Sequence, residues 1–503
     1  MALTLINSIV TWVLKKRIHQ MELFMKFPID VQNELLLSLI NQAHNTEFGK
    51  NHNFTSIKNY EDYAKQVPLS TYEEFEPLIE RARKGEQNVF WPTPIKWFAK
   101  SSGTTNAKSK FIPVSPEALE NCHFKAGKDM LCLYLNNNED SQLFTGKSLR
   151  LGGSKQLYED NNTIFGDLSA IIIDNLPFWA ELSSTPSNKV SLMSEWNEKM
   201  FAIVEETRNV NVTSFAGVPS WMLVLFNKVL EQTGKENLLD VWPNAEVYFH
   251  GGVSFEPYRE QYKKLFPSDS FRYYEIYNAS EGFFGIQDRN DFNDLLLMLD
   301  YGIFYEFIPM ETFGTSNQKI IPLAEVELNK NYAMVITTNS GLWRYLIGDT
   351  VRFTSLLPYR IKVSGRTKHH INVFGEELMV ENTDKALALT ADSFDVEIVE
   401  YTAAPIFMEG KENGAHEWII EFKNPPEDLE KFADALDLNI QMLNSDYEAK
   451  RYNSLTLNRL KLHLARPNLF YGWLRDKDKL GGQNKIPRLS NDRHYLEELL
   501  KLN

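Results

Sequence analysis

The sequence predicts an α/β fold: a large N-terminal domain of β-sheets with packed helices, followed by a small C-terminal α+β domain. Three observations lead there. The 503 residues exceed the size at which a single hydrophobic core usually stops growing. After Trp91, short apolar runs that end in Gly, Asn, Pro or Ser alternate with stretches of helical apolar spacing, the pattern of strands interleaved with helices. The last third changes character again, with a strand pattern over 417–422, a break at Pro425 and Pro426, and a helical pattern over 427–442.

In chain order, residues 3–82 read as helical, with apolar residues three and four apart over 31–43 and 72–79, so that a helical layer covers about residues 1–90. The apolar run over 3–14 is short and is followed by Lys15, Lys16 and Arg17, which fits an amphipathic first helix rather than a leader or a membrane span. Helices are expected over 191–206 and 220–232. Strands are expected over 247–249, 273–277 and 333–338, each running into a polar turn, and ligands of α/β sheets gather at such strand ends. Asn339, Ser340 and Gly341 separate two β-rich runs as a hairpin would, and the second run is expected to reach a turn at Gly348 and Asp349. A short hinge near 365–370 divides the chain into domains 1–365 and 366–503, since no Gly/Ser tether or internal repeat is visible.

Apolar residues make up 43%, charged residues 24% and aromatic residues 13% of the chain, a globular composition. A net charge of -14 excludes a protein whose main task is to hold nucleic acid, because phosphate neutralisation needs a basic surface. The two cysteines, Cys122 and Cys132, are too few for a disulfide framework and lack metal-ligand spacing. A cytoplasmic protein without a stable membrane anchor is expected, and the oligomeric state is left open.

Three stretches carry chemistry. Ser101, Ser102, Gly103, Thr104 and Thr105 lead through Asn106 to Lys108 and Lys110, just before an apolar run. Small side chains let backbone N–H groups approach a polyphosphate, with hydroxyls and lysine charge adding to its hold. The Walker spacing is absent, and such a stretch alone is more often a polar surface hairpin. Tyr277-Asn278-Ala279-Ser280-Glu281-Gly282 ends a strand with a carboxylate suited to Mg²⁺ shared with phosphate oxygens, or with an ordinary solvated acid. Trp343-Arg344-Tyr345-Leu346-Ile347-Gly348-Asp349 ends in an acid that could accept both hydroxyls of a ribose, although an ordinary turn is the more frequent fate of Gly-Asp.

Together these stretches resemble the adenylate-forming superfamily and, within it, the auxin-responsive acyl-acid amido synthetases of plants and their bacterial relatives; a bacterial-type member is expected. Between them, His250-Gly251-Gly252-Val253 resembles the glycine pair against which adenine lies. Gly365-Arg366 resembles the hinge pair, and Gly482-Gln483-Asn484-Lys485 resembles the loop that brings a lysine to the adenylating centre. The departures are Asn106 and Asn278 in place of glycines and Leu346 in place of an arginine common in the plant proteins. The resemblance implies that ATP, with Mg²⁺ held by Glu281, converts a small-molecule carboxylic acid to its acyl-adenylate, and that an amine, most simply an amino acid, then takes the acyl group. It also implies a C-terminal domain that rotates between these steps. Lys485, Glu281 and Lys110 would be catalytic. Ser101, Ser102, Gly103, Thr104, Thr105, Lys110, Gly251, Gly252, Tyr277, Ser280, Asp349 and Arg366 would hold the nucleotide. Phe215, Val218 and Trp221 are the looser choice for the acyl group, and His250, His369 and His370 are left without a role. An acyl-CoA ligase shares the first step, and a nucleotide-binding scaffold without turnover is the alternative of another class.

Overall fold

The computed structural model describes residues 16–101, 110–151, 158–160, 163–176, 178–193, 196–252, 255, 259–367, 370–376, 378–408, 413–452, 456–477 and 488–503. The first helix expected over 3–14 therefore lies wholly outside the described residues. Residues 16–26 are helical, and the helix Pro28–Ala43 follows with proline in its first turn, where a missing N–H costs nothing. Leu36, Leu39, Ile40 and Ala43 form its buried stripe. The helix Tyr72–Arg83 starts at a capping box, in which the Thr71 backbone N–H donates to Glu74 at 2.7 Å, satisfying an amide that the helix itself cannot.

Among the described residues the main sheet has twelve strands and changes character midway. Ser184–Thr185, Lys147–Arg150, Val212–Gly217, Val247–Gly251 and Arg272–Ala279 run parallel, so their C-terminal ends share one edge. Beyond the two-residue turn Ser280, Glu281 the strand Gly282–Ile286 returns antiparallel. Leu295–Leu297, Tyr359–Arg366, Tyr345–Leu356, Asn331–Thr338, Ile303–Pro309 and Ile321–Pro322 continue in that sense. A separate four-stranded sheet contains the hairpin Trp97–Ser101 and Lys110–Val114, with Ser101 opposite Lys110. In the last third, Ile398–Ile406, Ala415–Phe422 and Lys461–Leu464 form a three-stranded sheet. The helices Val380–Phe394 and Leu429–Leu443 accompany it, the second capped by Asp428.

One expectation is corrected. The chain does not turn at Gly348 and Asp349; the strand Tyr345–Leu356 passes straight through them. Gly348 takes φ +94°, and residues 347–349 stand opposite Met334 alone in the neighbouring strand. This is a bulge made possible by glycine's access to positive φ. Sequence alone cannot separate a bulge from a turn at Gly-Asp, because both need the same backbone freedom.

Buried polar contacts hold the helical layer on the antiparallel half. The Gln32 amide donates to the carbonyls of Leu299 and Ile303 at 2.9 and 3.0 Å and accepts from the Tyr305 N–H at 2.9 Å. Arg17 reaches both Asp129 and Asp300. Arg344 forms a buried pair with Glu306 at 2.8 Å, and its other nitrogen donates to the carbonyls of Ala64 and Val67 at 2.9 and 2.8 Å. Tyr60 adds a hydrogen bond to Glu306 at 3.0 Å. Arg344, inside the third motif, thus serves as a structural tie. Arg344→Met leaves the Glu306 charge buried without its partner and should cost about 3–5 kcal/mol. Thermal and urea denaturation should show this loss, and adding Glu306→Leu to the same chain should recover part of it.

Candidate functional site

The shared edge of the parallel strands collects the expected site residues. Val212–Gly217 delivers Val218, which precedes the helix Pro219–Thr233. Val247–Gly251 ends at the glycine pair, and Arg272–Ala279 runs into Ser280 and Glu281. A side chain at Gly251 would place its Cβ 2.5 Å from the Ile276 carbonyl oxygen, and Gly252 has φ +84°. Both positions therefore demand glycine, one for space and one for backbone conformation. Together they leave two backbone units without side chains at the strand end.

Tyr277 donates to Asp349 at 2.7 Å, with both residues buried. Their strands stand four places apart in the sheet order, which in a flat sheet would separate them by about 19 Å. The hydrogen bond therefore requires the sheet to curl, and it unites two motifs 72 residues apart in sequence. Asp349 also stands opposite Arg366 across the neighbouring strand, so that three of the expected nucleotide residues converge. Ser101 and Lys110 close the base of their hairpin, and the Lys110 ammonium lies 5.2 Å from the centroid of the Tyr72 ring. The Tyr72 hydroxyl accepts from the Phe111 N–H at 2.9 Å.

Ser102, Gly103, Thr104 and Thr105 lie outside the described residues, as do Lys485 and His369. The chain just after Lys485 is anchored: Arg488 pairs with Asp384 at 2.8 Å and its carbonyl accepts from the Ala403 N–H. His250 is buried against Phe255, and burial, with Arg259 nearby, pushes its pKa down to about 3. It is neutral at pH 7, with a pKa far below that of an effective base there. Among the described residues no group of three or more His, Cys, Asp or Glu is arranged to hold a metal ion. The single carboxylate of Glu281, at a two-residue turn, has the donor chemistry of a Mg²⁺ ion that takes its other ligands from phosphate and water.

The looser acyl candidates separate. Trp221 lies under the Lys450 ammonium at 3.9 Å, and Val218 lies against Gly252. The Phe215 ring is instead fully buried among Phe226, Trp242, Phe266 and Phe271. Its strand neighbours Ser214 and Ala216 point to the opposite face, as alternation requires, and line a cavity of about 190 Å³. The helix Lys125–Asn137 supplies the facing wall through Gly127, Met130 and Leu131, and Arg150 comes from the adjacent strand. Sequence reasoning passed over this cavity. Its only trace is the alternation in 148–151 and 213–216, which sets small or polar residues on one face and Leu149 and Phe215 on the other.

Comparison with known proteins adds the following. Models described as the GH3 family N-terminal, central and C-terminal domains match residues 17–271, 296–366 and 381–494. A jasmonoyl-L-amino acid synthetase of Oryza sativa subsp. japonica is 24% identical, with 95% of each chain covered. An indole-3-acetic acid-amido synthetase of Arabidopsis thaliana is 22% identical over 94% of this chain and 91% of its own. In fold, the chain is similar to an acyl acid amido synthetase solved in complex with 2,4-DB, with a TM-score of 0.60, 18% identity and coverage of 94% and 93%. It is also similar to a 2-hydroxyisobutyryl-CoA ligase in its thioesterification state, with a TM-score of 0.53, 14% identity and coverage of 94% and 92%.

The glycine pair offers a direct check of this packing. Gly251→Ala should lower stability by about 1–3 kcal/mol, the usual cost of overpacking, and Gly217→Ala should be milder because its nearest neighbour is the flexible Met222 side chain. Paired thermal melts of the two variants measure the difference.

Proposed function

The chain belongs to the GH3 family, and from that premise we propose that it is an ATP-dependent acyl-acid amido synthetase acting on a small carboxylic acid and an amino acid. The observation that carries the nucleotide end of this reading is the convergence of Tyr277, Asp349 and Arg366 beside the glycine pair. A plain carboxylate is a poor acyl donor, since its leaving group would be oxide. In the first half-reaction a carboxylate oxygen of the acid bonds to the α-phosphorus of ATP and the bond to pyrophosphate breaks. Little covalent work falls to the protein, so catalysis is positioning plus charge stabilisation.

Gly251 and Gly252 present backbone without side chains to adenine, and Asp349 accepts the ribose hydroxyls with Arg366 beside it. Tyr277 orients Asp349 through its hydrogen bond. Ser101, Ser102, Gly103, Thr104, Thr105 and Lys110, with Ser280, hold the phosphates. Glu281 is the protein's ligand for Mg²⁺, which when bound offsets phosphate charge. Lys485 neutralises the charge that builds between acid and α-phosphate. The acyl group runs past Val218 and Trp221 toward the apolar cavity behind Ala216. In the second half-reaction the amine nitrogen bonds to the acyl carbonyl carbon, the bond to AMP breaks and an amide results. A division at 365/366, with residues 366–503 turning as a small domain, lets Lys485 serve the first step and leave for the second. The likeness in fold to a CoA ligase keeps a thiol acceptor as the second reading, whereas the amine acceptor rests on the family.

Among the described residues no helix is long and apolar enough to cross a membrane, and neither cysteine is in a disulfide. The cytoplasmic setting we propose rests on the composition, with only two cysteines in the chain. A place among bacterial-type members is part of the proposal, and Leu346, where an arginine is common in the plant proteins, is the departure that supports it.

Acid-dependent exchange of labelled pyrophosphate into ATP, run with Mg²⁺ but without amine or thiol, tests the first step. Exchange is expected with part of a panel of aryl, indole and aliphatic acids, and amide formation once amino acids are added. Glu281→Ala and Lys485→Ala should each lower exchange by about 100-fold or more, the loss typical of a charge-stabilising group, with thermal midpoints unchanged. Unaltered exchange in both variants would remove these two assignments.

A further inference from the structure

The cavity behind Ala216 is apolar on most of its surface, yet it holds a permanent charge. Arg150 lies on its wall, where burial disfavours the charged guanidinium and no acidic neighbour offsets that cost. No hydrogen bond or ion pair from Arg150 is made among the described residues. An arginine stays protonated at neutral pH even so, and this one, half-buried against apolar walls, lacks among the described residues the counter-charge that usually accompanies a desolvated cation. A second polar group in the same cavity is also unmet. His123 is 7% exposed, and its buried Nδ1 has no hydrogen-bond partner. Desolvation pushes its pKa down to about 4, so the ring is neutral at pH 7. Ser148 and Ser214, paired across adjacent strands, complete the polar strip. Ser183 also lines the cavity, but its hydroxyl donates to the Ala180 carbonyl at 3.1 Å, and the side chains of Met130, Leu131 and Ile172 are apolar.

We infer that this cavity selects an acyl acid carrying a second anionic group, a carboxylate or similar oxyanion remote from the carboxyl that reacts, and that Arg150 is its specificity-determining residue. The inference rests on the adenylation reading for the reacting end and adds the substrate class. The reacting carboxylate is an inadequate counter-charge for Arg150, because adenylation turns it into a neutral acyl carbonyl and would strand the guanidinium in the intermediate. A remote oxyanion stays charged through both half-reactions. The apolar walls take the chain between the two groups, and His123 with the two serines adds hydrogen bonds around the anion.

The test compares matched pairs, straight-chain monocarboxylic acids against α,ω-dicarboxylic acids of equal length and benzoates against carboxybenzoates, in pyrophosphate exchange. Wild type should favour the diacid member in kcat/KM by at least about tenfold, as a site built around a polar group rejects analogues that lack it. Arg150→Gln should abolish that preference while leaving the monoacid within about threefold, and Arg150→Lys, which keeps the charge, should restore part of it. A wild-type preference for the monoacid, or an equal loss on both members in Arg150→Gln, would overturn the assignment. If no acid supports exchange, calorimetric titration of the same diacids separates the two readings. Binding that Arg150→Gln abolishes would uphold the anion pocket although adenylation fails, and absence of binding to wild type would overturn it. Should Arg150→Gln fail to fold, the wild-type preference and the Arg150→Lys variant decide.

Discussion

The two-residue turn at Ser280 and Glu281, where a parallel sheet becomes an antiparallel one, is the constraint on which the rest of the molecule depends. Parallel strands must be linked by crossovers that cover both sheet faces, and they align their C-terminal ends along one edge. Antiparallel strands need only short connections and leave one face for the helical layer. At the junction the edge of the first half meets the curl of the second. The hydrogen bond from Tyr277 to Asp349 spans that meeting, so the nucleotide end of the site is built from both halves.

The curl in turn relies on what lies behind it. Gln32 and the Arg344–Glu306 pair bind the helical layer to the antiparallel strands through buried groups, and Arg17 ties it to Asp129 and Asp300. Buried charges of this kind bring little net stability over apolar packing, yet their geometry penalises any other arrangement of the layer. The bulge at Gly348 then sets where along the ladder Asp349 stands. With two extra residues in the bulge, Asp349 moves along the ladder to stand opposite Arg366 while the alternation of faces beyond it is kept.

The two faces of the parallel strands have opposite duties. Leu149 and Phe215 point into an aromatic core, and Ser148, Arg150, Ser214 and Ala216 line the cavity. The substrate end is therefore a matter of residue parity along two strands. It is also the less polar end of the site, so a lone guanidinium there has more effect on selectivity than one among phosphates, where solvent and other charges share the load.

The α/β class, several of the helices and strands and the three motifs were legible in the sequence, because helical spacing, strand composition and turn residues are local signals. The helix Pro219–Thr233 and the strand Asn331–Thr338 fall within a few residues of where their apolar spacing put them. Gly251 and Gly252 were legible as a resemblance to an adenine-facing pair, whereas the need for space at one and for a positive φ at the other is a tertiary finding. What only the tertiary structure decided is the set of contacts between residues far apart in the chain: Tyr277 with Asp349, Arg344 with Glu306, and the cavity that joins the helix Lys125–Asn137 to strands near 148 and 214. Phe215 is an acyl candidate only through a loose family similarity of 215–221, and strand pairing turns its ring into the core and gives the cavity to Ser214 and Ala216. A one-residue change of facing leaves composition and motif order untouched, so only the packing of one sheet face against a helix could reveal it.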